Sequence, residues 1–272
     1  MKVLLTNDDG IDAEGLQQLR RALLRVPDIE LVVIAPDGNR SAMARSITTR
    51  RPLWVQEVDF GDGTHGYATD GTPVDCVRLA TLGLVEGFHA ELIVSGINHG
   101  TNLGDDITYS GTVAAAFEGI LLGLPAIAAS QQSAAGTTDF RPGHAFDFAP
   151  GAQFIARLVE EIDDVPLPAG TLLNVNCPAG EATGVEIARL GKRIYRDELK
   201  LTDEGEEGRT HYWIYGPDPG FQEDTGTDFA AIGDGRISVT PLHFDLTDVA
   251  GMDALVSHDL ARLLRPIVQE RD

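Results

Sequence analysis

The chain has 272 residues, enough for one large domain or for a domain with an appendage. Its formal net charge of −21 argues against polymeric nucleic acid as a partner, because an acidic surface repels the phosphate backbone. The sequence shows neither an apolar run of membrane-spanning length nor the pattern of a signal peptide at its start, so we expect a cytoplasmic protein.

Strand and helix patterns alternate through the first half of the chain. Apolar runs predict strands over residues 2–6, 29–35, 91–95 and 126–130. Helical spacing and start signals predict helices over residues 12–26, 72–84 and 113–122, the second with Thr72 as N-cap and Pro73 in the first turn. Strands separated by helices predict an α/β fold with a doubly wound, mostly parallel sheet in three layers.

The second half of the chain changes character. It predicts helices over residues 154–162 and 253–268, and strands over 171–176, 185–190, 211–215 and 236–242. The polar stretch 197–209 is typical of a hairpin tip or a loop. We therefore predict a catalytic core over 1–180, a β-rich excursion over 181–245, and a C-terminal helix within 246–272 that packs on the core.

Two adjacent acids, Asp8 and Asp9, directly follow the first predicted strand. Alone they are weak evidence, because acids are common in turns and at helix starts. Two carboxylates this close need a cation or hydrogen-bond donors, since like charges otherwise raise a pKa. Ser41 and Asn98 follow other strands of the same sheet and can converge on the acids, although either residue can instead serve loop hydrogen bonding. An all-oxygen set suits Mg²⁺ or Mn²⁺, with Ca²⁺ also compatible.

A long loop rich in glycine and polar residues, 95–112, precedes the helix predicted at 113–122. Ser110, Gly111 and Thr112 open that helix, where free N–H groups, the helix dipole and two hydroxyls can form an anion cradle. Ordinary N-capping explains the same residues more simply. His99 lies in this loop, and we interpret it as a solvent-facing residue. A metal site facing a phosphate site predicts phosphate-ester chemistry.

Several sequence blocks, in order, resemble the SurE family of survival-protein phosphatases, also called 5′-nucleotidases. The matching blocks are residues 6–10, 36–41, 71–76, 95–98, 102–116, 125–128, 174–176 and 238–242. The resemblance covers nearly the whole chain. One departure is Ala42, because the family commonly has a glycine after the loop serine.

The resemblance implies a metal-dependent phosphomonoesterase that hydrolyses nucleoside monophosphates, with 3′-nucleotides and polyphosphate as further substrates. The ligands implied for one divalent ion per subunit are Asp8, Asp9, Ser41 and Asn98. The residues implied to face the phosphate or the attacking water are Asp8, Asn39, Ser110, Gly111 and Thr112. The family fold also implies a Rossmann-like core whose excursion is exchanged between subunits, giving a homodimer or a homotetramer.

Two other classes of protein place acids after a first strand. A phosphoreceiver signalling domain needs a lysine late in the sheet, and here lysine occurs only at positions 2, 192 and 200. A haloacid-dehalogenase-like phosphatase uses Asp-x-Asp with an aspartyl nucleophile, whereas Asp9 is followed by Gly10 and Ile11. Both alternatives are less favoured than the metal phosphatase.

The excess of acids has two interpretations. Acidic residues number 42 against 21 lysines and arginines, and only three of the 21 are lysines. This balance can serve simple solubility, or it can be an adaptation to concentrated salt, where screening removes the repulsion between acidic groups. We favour the halophilic interpretation because so high a charge is combined with so little lysine.

Overall fold

The computed structural model describes residues 1–138, 143–204, 210–214, 220–256, 258 and 260–264. The strands are β1 (Lys2–Thr6), β2 (Glu30–Pro36), β3 (Val55–Asp59), β4 (His65–Thr69), β5 (Leu92–His99), β6 (Ala126–Gln131), β7 (Thr171–Cys177), β8 (Val185–Ile187), β9 (Arg193–Ile194), β10 (Lys200–Glu204), β11 (Thr210–Trp213), β12 (Gly220–Phe221) and β13 (Ile237–His243). The α-helices are α1 (Glu14–Leu23), α2 (Pro73–Thr81), α3 (Gly111–Leu121), α4 (Ala149–Glu160), α5 (Asp228–Gly233) and α6 (Val249–Val256).

Nine strands form one mostly parallel sheet in the order β3-β4-β2-β1-β5-β6-β7-β13-β8. Two of its strand pairs are antiparallel, β3 with β4 at one edge and β13 with β7 near the other. The central strands β1, β2, β5 and β6 are parallel, so their carboxyl ends meet at one edge of the sheet. That edge is where open α/β sheets place their binding sites.

Helices cover both faces of the sheet, as the alternation of buried side chains along β1 requires. Val3 and Leu5 belong to a buried cluster with residues of α1 and α4. Leu4 belongs to a second cluster with residues of α2 and α3. The predicted doubly wound, three-layer α/β fold is thus confirmed. The predicted start of α2 is confirmed too, because Thr72 Oγ1 accepts from Asp75 N at 3.2 Å while the Asp75 carboxylate accepts from Thr72 N at 3.0 Å.

Two strands of the predicted β-rich excursion belong to the core sheet instead. β13 pairs antiparallel with β7, and β8 pairs parallel with β13. The physical reason is burial, since Ile237, Val239 and Leu242 all lie in the two main clusters that flank the sheet. Outside the sheet are the β9–β12 pair, the β10–β11 hairpin and α5. β10 lies within the predicted polar stretch 197–209 and pairs antiparallel with β11, which follows that stretch; residues 205–209 lie outside the described ones.

The C-terminal segment differs from its prediction. Within the predicted helix 253–268, the structure has the end of α6 and a 3-10 helix, Leu260–Leu264, and residues 265–268 lie outside the described ones. That helix was predicted to pack on the core, yet its leucines are exposed in the single chain: Leu255, Leu260, Leu263 and Leu264. Among the described residues, no helix combines the length and apolarity needed to cross a membrane.

Candidate active site

The loops that follow β1 and β2 lie against each other at the carboxyl edge of the sheet. Arg40 N donates to Asp8 O at 2.6 Å, and Ile11 N donates to Pro36 O at 2.8 Å. Gly10 has a φ of +110° and touches Gly38, so that a Cβ at Gly10 would lie 2.9 Å from Gly38 Cα. This approach requires glycine both for its conformation and for its lack of a side chain.

Asp9 is held by groups from two other loops. Its Oδ2 accepts from the backbone N–H of His99 at 3.0 Å, at the end of β5. Its Oδ1 accepts from Asn39 Nδ2 at 3.2 Å, after β2. Asn39 in turn accepts from Ser41 N through its Oδ1 at 2.9 Å, so this one amide orients both Asp9 and the Ser41 backbone.

Asp8 lies against the first turn of α3. The Thr112 hydroxyl donates a short hydrogen bond to Asp8 Oδ1. Gly111 is so close that a Cβ there would lie 2.7 Å from Asp8 Cβ and 2.8 Å from Asp8 Oδ2. Ser110 is the N-cap, because its Oγ accepts from Val113 N at 3.1 Å. Residues Ser110, Gly111 and Thr112, the cradle from here on, therefore face Asp8 with the positive end of a helix behind them.

Asn98 and Ser41 lie next to the groups that hold Asp9: Asn98 directly precedes His99, and Ser41 N donates to the Asn39 amide. Asn98 Nδ2 donates to Gly100 O at 2.8 Å, and among the described residues no donor binds Asn98 Oδ1. Ser41 is exposed, and within the same described ranges its hydroxyl forms no hydrogen bond. Both side-chain oxygens are therefore available to a ligand at this edge of the sheet.

Ala42 adopts a left-handed backbone conformation, with φ at +58°. Glycine enters this region freely, whereas a residue with a Cβ does so at some cost. The resemblance places a glycine at this position, and the conformation gives a backbone reason for that preference. Ala42 adopts this conformation although it carries a Cβ.

Burial controls the acidity of the two carboxyls. Burial of Asp8 and then the charge of Asp9 raise the pKa of Asp8 to about 6, although the Thr112 hydrogen bond opposes the shift. Burial likewise raises the pKa of Asp9 to about 6, against the hydrogen bond from His99 N. Both acids thus resist ionisation in a site that offers only neutral donors.

A divalent cation fits this donor set. Within the described part of the chain, no lysine or arginine side chain pairs with either acid, and no cluster of three His, Cys, Asp or Glu residues has metal-binding geometry. Two carboxylates with the neutral oxygens of Ser41 and Asn98 form a hard-oxygen set, of the kind that Mg²⁺ and Mn²⁺ prefer.

The raised pKa values predict that cation affinity depends on pH. Both carboxyls must lose their protons to bind a cation, so the apparent affinity for Mn²⁺ should fall as the pH drops below about 6. Calorimetric titrations of Mn²⁺ into metal-free protein at pH 5, 6 and 7.5 measure this. We expect at least tenfold weaker binding at pH 5 than at pH 7.5. Equal affinity at the two ends of the range would contradict the assignment of these acids as ligands.

His99 is exposed at the end of β5, in keeping with its prediction as a solvent-facing residue, but its ring also packs against two phenylalanine rings. Its ring lies 4.8 Å from the Phe148 ring and 5.3 Å from the Phe146 ring, centroid to centroid. Its Nε2 accepts from Gly15 N at 3.3 Å, which leaves the ring proton on Nδ1 in the neutral form. Burial lowers the pKa of His99, although the charges of Asp8 and Glu14 oppose the shift. The ring therefore packs beneath the loop in which the backbone N–H of His99 donates to Asp9.

A comparison with protein families shows to which family the chain belongs. The family model described as "Survival protein SurE" matches residues 3–197. The chain belongs to the SurE family. The resemblance found in the sequence blocks is thereby confirmed.

SurE relatives match the chain over most of its length. A protein of Rubrobacter xylanophilus described as 5′-nucleotidase SurE is 51% identical over 274 residues, covering 97% of this chain and 99% of that protein. A protein of Geobacter sulfurreducens with the same description is 45% identical, covering 96% and 95%. The crystal structure of the SurE protein from Aquifex aeolicus matches with a TM-score of 0.77 and 36% identity, covering 94% and 99%.

Proposed function

We propose that this SurE-family protein is a metal-dependent phosphomonoesterase, a 5′-nucleotidase that hydrolyses nucleoside monophosphates to nucleoside and phosphate. The observation that carries the proposal is the contact between Asp8 and the cradle. One buried carboxylate both borders the cation-binding oxygens and touches the helix start that suits a phosphate. The names of the relatives from Rubrobacter xylanophilus and Geobacter sulfurreducens support the choice of nucleotide substrates.

Each group at the site has a part in this proposal. Asp8, Asp9, Ser41 and Asn98 hold one divalent ion per subunit, Mg²⁺ or Mn²⁺ with Ca²⁺ also compatible. Such an ion, when bound, would supply Lewis-acid stabilisation of the phosphoryl charge. The cradle and the Asn39 amide orient the phosphate opposite Asp8. Asp8 orients the attacking water and accepts its proton, while Asp9 serves mainly as a ligand.

A substrate panel tests the proposed activity. Phosphate release is measured from the 5′- and 3′-monophosphates of each common nucleoside, from inorganic polyphosphate and from a phosphodiester, each with Mg²⁺, Mn²⁺ and Ca²⁺. We expect cleavage of the monophosphates and none of the diester, because the cradle accepts a terminal phosphate. Failure to cleave any nucleoside monophosphate with any of these ions would overturn the proposal.

The fate of Asp8 distinguishes direct attack by water from the alternative with an aspartyl-phosphate intermediate. An aspartyl nucleophile would leave a phosphorylated Asp8 that rapid quenching and mass spectrometry detect. Direct attack by water leaves no such adduct. The Thr112 hydroxyl already occupies Asp8 Oδ1, which suits a carboxylate that orients water.

We further propose that the protein is a homo-oligomer, a dimer or a tetramer, adapted to concentrated salt. Support comes from large apolar side chains exposed in the single chain: Tyr212 and Trp213 of β11, and Val249, Met252 and Leu255 of α6. Large apolar side chains exposed on a single chain in this number are typical of surfaces that a second copy covers. The predicted cytoplasmic location stays a prediction.

Salt should strengthen that assembly. In dilute buffer two subunits of charge −21 repel each other over a longer Debye length than in molar salt. We expect both the oligomer mass from light scattering and the melting temperature to rise between about 0.05 M and 2 M KCl. A monomer whose mass and melting temperature do not change with salt concentration would contradict both the oligomeric and the halophilic interpretation.

A further inference from the structure

Buried charged groups join the cradle to two parts of the chain that lie outside the main sheet, the β9–β12 pair and α5. The cradle is preceded by the 3-10 helix Gly104–Thr108, which contains Asp106. Asp106 O accepts from Tyr109 N at 3.0 Å, so Asp106 holds the residue immediately before the cradle.

Both carboxylate oxygens of Asp106 are bound by residues near β9. Arg193 donates to Asp106 Oδ2 through Nε at 2.7 Å and through Nη2, and the two side chains are fully buried. Tyr195 donates its hydroxyl to Asp106 Oδ1 at 2.8 Å. Two donors of one planar guanidinium that converge on the same oxygen fix direction as well as distance, which a single charge contact does not.

Arg193 is itself fixed on three sides. It donates through Nη2 to Thr138 O at 3.0 Å, and its guanidinium carbon lies 4.8 Å from the centre of the Phe229 ring. Its backbone N donates to Asp105 Oδ2 at 3.2 Å. The guanidinium therefore has little freedom to follow a shifted Asp106.

Asp228 forms a second link to the same loop. Its Oδ2 accepts from Gly104 N at 2.7 Å, and its Oδ1 accepts from Gly191 N at 2.8 Å. Gly104 has a φ of +52° and lies so close to Phe229 that a Cβ there would be 2.6 Å from Phe229 Cε2. The loop before the cradle is thus clamped on the first turn of α5.

We propose that Asp106, Arg193 and Asp228, the brace from here on, are positioning residues that hold the cradle at its distance from Asp8. The brace touches neither acid of the cation site, and it acts through the backbone of residues 104–112. This inference rests on the proposed phosphatase function. Under this proposal the segment outside the sheet contributes to phosphate binding, because Arg193 and Asp228 both lie there.

Arg193→Lys tests the brace. Lysine keeps the charge but cannot bind Asp106 and Thr138 together, so we expect kcat and the affinity of the Mn²⁺-loaded protein for inorganic phosphate each to fall about tenfold or more, as for residues that orient ligands indirectly. The affinity for Mn²⁺ should change by less than about threefold, since the brace contacts neither the His99 N–H nor the Asn39 amide, the two groups that hold Asp9. Arg189→Lys is the matched control, because Arg189 pairs at 2.5 Å with an exposed partner, Asp224, in the same segment.

Two further measurements keep the test decisive. If Arg193→Lys fails to fold, Tyr195→Phe removes only one hydroxyl from Asp106, and it should lower kcat and phosphate affinity with only a small drop in melting temperature, since a single buried oxygen loses its donor. Parent-like kcat and phosphate affinity, with only a lower melting temperature, would overturn the brace. Phosphate binding followed by calorimetry separates the two proposals, because it reports on the brace even if the parent hydrolyses no nucleotide. A parent that binds no phosphate when Mn²⁺-loaded would overturn the brace as well.

Discussion

Asp8→Asn should abolish nearly all phosphatase activity while leaving the protein folded. The substitution removes a charge from the cation site and a proton acceptor from the water. We therefore expect a loss larger than the 10- to 100-fold typical of residues that only support metal ligands. The melting temperature of the metal-free variant should match or exceed that of the parent, because the amide avoids the cost of burying a charge beside Asp9.

Asp12→Asn is the control for this prediction. Asp12 lies in the same loop, is exposed, and forms no side-chain hydrogen bond among the described residues. It should keep parent activity and parent Mn²⁺ affinity. Asp9→Asn should behave like Asp8→Asn in activity and should also weaken Mn²⁺ binding. Full activity of Asp8→Asn or of Asp9→Asn would contradict the proposed site.

Gly111→Ala should cost about a hundredfold in turnover, since a displacement of about 1 Å at an active site has that effect. The new Cβ would start 2.7 Å from Asp8 Cβ, so Asp8 or the helix start must move. Displacement of Asp8, a proposed ligand, should also lower the affinity for Mn²⁺. Alanine is the better helix former by about 1 kcal/mol, so the loss would not come from helix propensity.

Gly184→Ala provides the matched glycine control. A Cβ at Gly184 meets no heavy atom within 4 Å, and its backbone is not left-handed. It should turn over nucleotide as the parent does. A fully active Gly111→Ala variant would show that the cradle does not approach Asp8 in the working enzyme.

The sequence predicted the parts of the site that follow from local pattern. Asp8 and Asp9 come directly after a buried strand, and Thr112 stands at a helix start, so their meeting at one sheet edge follows from the parallel topology. The hydrogen bonds that fix them could not be predicted in this way. The bond from His99 N to Asp9 joins residues 90 apart, and only the three-dimensional structure brings them together.

The predictions failed where tertiary partners decide the outcome. β3 was not predicted, because its residues Val55 and Val58 are only half-buried and three of its five positions are exposed. β13 was predicted as a strand, yet its place beside β7 depends on pairing that periodicity does not encode. Arg193 and Asp106 are 87 residues apart, and nothing in their local patterns indicates that they meet in the interior.

The most direct test of a cation-dependent phosphatase is a metal titration followed by phosphate release. Protein freed of metal by a chelator is titrated with Mn²⁺ in the presence of a nucleoside 5′-monophosphate, and phosphate is measured at each step. The expected result is negligible release without metal and a rise that saturates at one ion per subunit in the parent, with no such rise in Asp9→Asn. Full phosphate release in excess chelator, or an equal response of Asp9→Asn, would contradict the site built on Asp8 and Asp9.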